Sequence, residues 1–213
     1  MDIAILIFEG LTALDAIGPY DVLASIPDAN VTFVGATRGL KRTSRGSLGL
    51  NADRAITEIK GADILVIPGG YGEEQVRQNP TVLEWVRAIH ATTQWTTSVC
   101  TGALILGAAG ILKGIEATTH WAARDQLRQF GATPVTKRIV EQGKVITAAG
   151  VSAGIDMALY LTRRLAGDTV AQAIQIAIEY DPQPPFDGVY EHAPEPVKGL
   201  LHKMLARRLA MPR

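Results

Sequence analysis

Apolar residues fall in short, nearly unbroken runs at 3–8, 31–36, 63–67, 95–99 and 145–148, bounded by Gly, Pro or Asp. A strand with one wet face alternates apolar and polar residues, whereas an unbroken run buries both faces, as in a parallel sheet covered by helices on each side. Between the runs lie segments with helical spacing, and strand-sized runs alternating with helix-sized ones predict βαβ units. The pattern therefore predicts an α/β fold, a doubly wound and mainly parallel sheet with helices on both faces.

The helical segments have readable ends. Residues 80–91 place Leu83, Val86 and Ile89 on one side, while 121–130 stops at Gly131 and 154–166 at Gly167. Glycine suits the position after a helix, where a left-handed residue is favoured. Asp168 is then expected to cap a helix over 169–180, and Ala173, Ile174, Ile176, Ala177 and Ile178 predict that this helix is largely buried.

Residues 181–196 hold five of the eleven prolines and cannot continue a helix. A final amphipathic helix over 197–210 carries Leu200, Leu201, Met204, Leu205 and Leu209, with Lys198, Lys203, Arg207 and Arg208 elsewhere. The expected organisation is one domain over 1–180, followed by a proline-rich connection and a helix, 181–213, packed on that same domain. Contact with a partner is the next reading for a basic amphipathic helix, and membrane binding the last.

Composition narrows the function. In 213 residues, 47% hydrophobic and 20% charged, Lys plus Arg and Asp plus Glu balance at 21 each. No global basic field draws the chain to nucleic acid or an anionic membrane. The N-terminal apolar run has an acid at position 2 and no basic region before it, and no stretch approaches the roughly 20 apolar residues of a membrane-spanning helix. With one cysteine there is no intramolecular disulfide, and a lone thiol fits a reducing compartment, so cytoplasm is expected.

That cysteine, Cys100, sits where the run 95–99 meets Thr101-Gly102-Ala103, the start of a helix. Unpaired N–H groups at a helix N-terminus favour a thiolate and predict a lowered thiol pKa. The competing reading is a small buried hydrophobe. Gly69-Gly70, after the third run, can bring bare N–H groups to a bound atom, and with the N–H of Thr101 they form a candidate oxyanion hole, although a plain tight turn also fits. Asp15 lies in an apolar setting of Leu14, Ala16 and Ile17, where burial would raise its pKa and let it hold a proton for sulfur or substrate; the alternative is a helix N-cap. His120 is a candidate base or a structural side chain. His90, His192 and His202 read as surface residues. Ile17, Tyr71 and Trp121 are either pocket walls or core, with core the favoured reading. His120 has no ligand-spaced partner and one cysteine makes no thiolate-rich site, so no metal and no cofactor are expected.

Together, Leu14-Asp15-Ala16-Ile17-Gly18-Pro19, Pro68-Gly69-Gly70, Ser98-Val99-Cys100-Thr101-Gly102-Ala103, Ala117-Thr118-Thr119-His120-Trp121 and Gly150-Val151-Ser152-Ala153-Gly154-Ile155-Asp156 resemble the ThiJ/PfpI superfamily over nearly all of residues 1–180. The resemblance implies a flavodoxin-like fold, shared with class I glutamine amidotransferase domains, with the cysteine at a nucleophile elbow. Asp15 with Cys100-Thr101 is most similar to the isonitrile hydratase branch. That implies hydration of a small-molecule isocyanide to a formamide, with Cys100 as nucleophile, Asp15 as essential acid and Thr101 as a further active residue, in a homodimer. Protease-like members carry His directly after Cys, which this chain lacks. The sensor half of AraC-type regulators shares these motifs, but the roughly 30 residues after Tyr180 are too few for their DNA-binding region, and a stand-alone enzyme is expected. A redox-sensing or ligand-binding module and a glyoxalase-like enzyme are the alternatives.

Overall fold

The computed structural model describes residues 1–209. They divide into two compact units, one over Met1–Glu179 and one beginning at Tyr180. In the first unit the chain runs β1 (Asp2–Leu6), α1 (Ala13–Leu23), β2 (Asn30–Gly35), β3 (Gly39–Arg42), β4 (Gly49–Ala52), β5 (Arg54–Ala55), β6 (Ile64–Ile67), α2 (Glu73–Arg77) and α3 (Pro80–Thr92). It continues with β7 (Trp95–Val99), α4 (Gly102–Ala108), β8 (Glu116–Ala117), a 3-10 helix (Trp121–Phe130), β9 (Thr133–Pro134), β10 (Ile139–Gln142), β11 (Val145–Ala148), α5 (Ala153–Ala166) and α6 (Asp168–Ala177).

Seven strands form one sheet in the order β10-β11-β7-β6-β1-β2-β5. All neighbours are parallel except β10, which runs antiparallel to β11 at the edge. Every residue of β6 and β11 is buried, which requires cover on both faces. Helices α1, α5 and α6 pack as one group, and α2, α3 and α4 with the 3-10 helix as another. This is the doubly wound α/β sheet that the unbroken apolar runs predict, and the flavodoxin-like fold that the resemblance implies.

The chain passes from β1 to β2 on one side and then to β6 on the other side of β1, so a crevice opens beyond the carboxyl ends of β1 and β6. The turns after β1, β6 and β7 all lie at that end of the sheet. α1 and α5 cross closely there, since a Cβ on Gly154 would stand 3.2 Å from both the Pro19 ring and Val99.

Several expectations need correction. Residues 121–130 form a 3-10 helix, capped at its start by the His120 ring, which accepts the Ala122 N–H at 3.3 Å, and closed by left-handed Gly131. Helix α6 begins at Asp168, with Gly167 at the cap position, and the Asp168 carboxylate pairs with Arg163 at 2.7 Å instead of capping. It is mostly exposed: only Ala171 and Ile174 are buried and Ile176 is 74% exposed. Of the apolar cluster at 173–178, Ile174 is buried and Ile178 half-buried, while Ala173, Ile176 and Ala177 are exposed. His90 is half-buried, with Nδ1 2.8 Å from Thr96 Oγ1, and burial and Lys144 lower its pKa.

The described residues of the second unit include a 3-10 turn (Tyr190–His192) and helix α7 (Glu195–Leu209). Within it Asp187 pairs with His192 at 2.6 Å and the Tyr190 hydroxyl lies 3.1 Å from His202 Nε2. Val197, Leu200 and Met204 are exposed. The expected helix over 197–210 thus starts earlier, at Glu195, and Ala210 lies outside the described residues. Among the described residues no helix is long and apolar enough to cross a membrane.

Candidate active site

Cys100 follows the last residue of β7 and precedes α4 by two positions, and its φ of +57° is left-handed. Left-handed backbone is costly for a residue with a Cβ and persists only where the surroundings hold it. Here the Cys100 N–H donates to the carbonyl of Ala149 at 2.7 Å and approaches that of Ala148 at 3.1 Å. The conformation breaks the strand sharply and turns the side chain to the carboxyl end of the sheet, the elbow that the motif implies. Cys100 is 5% exposed.

Asp15 stands in the first turn of α1 and is completely buried. Its Oδ2 accepts the Gly69 N–H at 2.9 Å, and its carboxyl also interacts with the Cys100 thiol. Oδ1 has no other partner among the described residues. Burial pushes the Asp15 pKa up to about 7, against smaller downward pulls from the Gly69 N–H and the Cys100 thiol. The N-cap of α1 is Thr12, so the capping alternative for Asp15 falls away.

The expectation of a lowered thiol pKa is overturned. Burial and the negative charge of Asp15 raise it well above its ordinary range, and the opposing N–H groups of Thr101 and Val151 are outweighed. Donors at the start of a helix do reach the sulfur, but a thiol so deeply buried beside a carboxylate keeps its proton. The pair is best described as one buried thiol–carboxyl unit whose protons are shared over two sites.

The open oxyanion hole is also overturned at two of its three donors. The Gly69 N–H is taken by Asp15, and the Gly70 N–H donates to Thr101 Oγ1 at 3.0 Å. The Thr101 N–H faces the Cys100 sulfur, where the Val151 N–H joins it. The loop of Gly69 and Gly70 locks the site together instead. A Cβ on Gly69 would lie 2.4 Å from the Thr101 nitrogen, and Gly70 has a φ of +137°. The Thr101 hydroxyl is thereby committed to the loop.

His120 is placed as a cap with its ring over Gly150, where a Cβ would come within 2.8 Å, and burial and Arg124 lower its pKa. An uncharged ring already accepting a backbone N–H fits the structural reading. Ile17, Tyr71 and Trp121 are half-buried, which corrects the core reading, and the Trp121 ring lies 5.3 Å from that of His120. Among the described residues no group of three or more His, Cys, Asp or Glu side chains could hold a metal ion. Sequence reasoning missed the Val151 N–H and the Thr119 hydroxyl, which donates to the Cys100 carbonyl at 2.6 Å. The paired threonines before His120 were the available signal for the second.

A model of the DJ-1/PfpI family matches residues 1–164. The chain belongs to the DJ-1/PfpI family. Within it, the isonitrile hydratase of Pseudomonas putida is 41% identical over 212 residues, covering 99% of this chain and 92% of that protein. A ThiJ/PfpI family protein from Pseudomonas syringae has a crystal structure with a TM-score of 0.93 at 34% identity, covering 98% of this chain and 87% of that one. DJ-1beta of Drosophila melanogaster, at 20% identity and a TM-score of 0.77 over 85% of this chain and 98% of that one, shares the fold.

Proposed function

We propose that this DJ-1/PfpI protein is an isonitrile hydratase that converts an isocyanide, R–N≡C, and water to the N-substituted formamide. The observation that carries the reading is the buried Cys100–Asp15 pair on a left-handed elbow, with the carboxyl poised near neutrality. Similarity to the Pseudomonas putida isonitrile hydratase across nearly the whole of both chains supports the same reaction.

The chemistry needs a nucleophile and one proton that can be moved twice. As Cys100 Sγ adds to the terminal carbon of the isocyanide, Asp15 takes the thiol proton and delivers it to that carbon, giving the thioimidate R–N=CH–S–Cys100. Water then adds to the same carbon. Asp15 accepts a proton from the water and passes it to nitrogen, forming R–NH–CH(OH)–S–Cys100. In the last step the C–S bond breaks, the hydroxyl proton leaves through Asp15, the formamide carbonyl forms, and the proton returns to sulfur. Atoms balance as one isocyanide and one water per formamide, and no electron acceptor is needed.

A carboxyl with a pKa near 7 suits both halves of this cycle, since a general acid–base group works best with a pKa near the operating pH. The Thr101 and Val151 N–H groups, aimed at sulfur, stabilise the thiolate that departs at the end. Half-buried Ile17, Tyr71 and Trp121, which neighbour the motif residues in sequence, are assigned in this reading as walls for an apolar R group. A homodimer and a cytoplasmic location belong to the same reading.

Purified protein supplied with cyclohexyl isocyanide, in reductant and without added metal, is expected to release N-cyclohexylformamide over many turnovers, and Cys100→Ala protein none. Folded wild-type protein that releases no formamide, but oxidises reversibly at Cys100, would replace this reading with a sensor.

A further inference from the structure

The left-handed Cys100 needs its backbone held at both ends. Its N–H is fixed by the carbonyls of Ala149 and Ala148. Its carbonyl has a long contact with the Ala103 N–H, 3.5 Å, and a short one with the Thr119 hydroxyl, 2.6 Å. Thr119 is completely buried, so no water competes for that bond. The strap that carries it is itself tied to the sheet: the preceding Thr118 N–H donates to Thr147 Oγ1 at 2.9 Å, and Thr147 pairs with Ser98, two residues before the nucleophile. His120 then turns the chain into the 3-10 helix.

We infer that Thr119 is a positioning residue: its buried hydroxyl, donating to the Cys100 carbonyl, holds the nucleophile in the conformation that meets Asp15 and the Thr101 and Val151 N–H groups. The inference rests on the proposed role of Cys100 as nucleophile. It assigns a purpose to the Thr118-Thr119 pair, whose two hydroxyls have opposite circumstances. Thr118 Oγ1 is buried without a hydrogen-bond partner among the described residues, whereas Thr119 Oγ1 makes the bond that fixes the elbow.

The adjacent threonines supply the experiment. Thr119→Val keeps the shape and removes the hydroxyl, and is expected to lower kcat by about tenfold or more while KM stays within about threefold, because the loss falls on alignment of the reacting groups. Thr119→Ser keeps the hydroxyl and is expected to restore kcat to within about threefold of wild type. Thr118→Val is expected to leave turnover unchanged. Should Thr119→Val not fold, Thr119→Ala replaces it against the same serine variant.

A second readout does not depend on isocyanide turnover. The pH midpoint for alkylation of Cys100 by iodoacetamide is expected to move by about half a unit or more in Thr119→Val and to coincide with wild type in Thr119→Ser, since Asp15 and the two N–H groups set that midpoint through geometry. A folded Thr119→Val protein with wild-type kcat and midpoint overturns the inference, as does a folded Thr119→Ser protein as impaired as the valine variant. Absence of formamide from wild type, with the alkylation midpoints separated as stated, would overturn the hydratase reading and leave the positioning role standing.

Discussion

At Asp15 the proposed proton transfers depend on burial. The carboxyl is held near pKa 7 chiefly by desolvation, while burial and the charge of Asp15 push the thiol it faces upward. If Asp15 must begin the cycle as a carboxylate, kcat/KM rises with pH through about 7 and then levels. A profile that stays flat across this range would remove Asp15 from the proton transfers. Asp15→Asn can still accept the Gly69 N–H, so it should fold and lose kcat by about a hundredfold or more; near-normal turnover in that variant would contradict its role. Both side chains were legible from residue type and setting, an acid among apolar neighbours and a lone cysteine before a helix. Their true pKa directions were legible only for Asp15, because the thiol responds to burial depth and to a partner 85 residues away in sequence. The N–H of Val151 was illegible for a different reason: every residue but proline carries that donor, and only the fold aims it.

The elements explain why the site is rigid. The loop after β6 is threaded between the turn after β1 and the elbow, with the Thr12 N–H donating to the Gly69 carbonyl at 2.9 Å and Gly69 pressed against Thr101. Gly69→Ala would drive a methyl group into the Thr101 nitrogen, and is expected to destabilise the protein by about 1–3 kcal/mol and to remove most activity. Thermal unfolding and turnover together check this, and an unchanged melting temperature would show that the loop yields. The long central strands were legible because both their faces are buried. The β3–β4 hairpin was not, since Gly39-Leu40-Lys41-Arg42 and Gly49-Leu50-Asn51-Ala52 are short, partly exposed and poor in β-branched residues. The segment 121–130 carries helical periodicity, but periodicity at that length does not separate a 3-10 helix from an α-helix.

For the whole molecule, the buried carboxyl couples stability to pH with a definite sign. The folded state holds the Asp15 proton more tightly than the unfolded chain does, with a pKa of about 7 against 3.8. Stability from this group is fully present below the unfolded value and is lost as pH rises towards 7, by about 4 kcal/mol in all. Denaturant unfolding of wild type and Asp15→Asn should therefore diverge between pH 4 and pH 7, with wild type losing stability relative to the variant. Parallel curves would mean that the carboxyl is not held protonated. The overall α/β architecture was legible because it follows from strand burial, whereas the exposed end of α6 was not, as apolar composition alone does not say which helix faces meet the sheet.

The most direct measurement is the mass of wild-type protein quenched while it turns over cyclohexyl isocyanide. Covalent hydration through Cys100 predicts a species heavier by one isocyanide molecule, with the added mass on the Cys100 peptide and absent from Cys100→Ala. Formamide production that continues in Cys100→Ala protein would contradict the account.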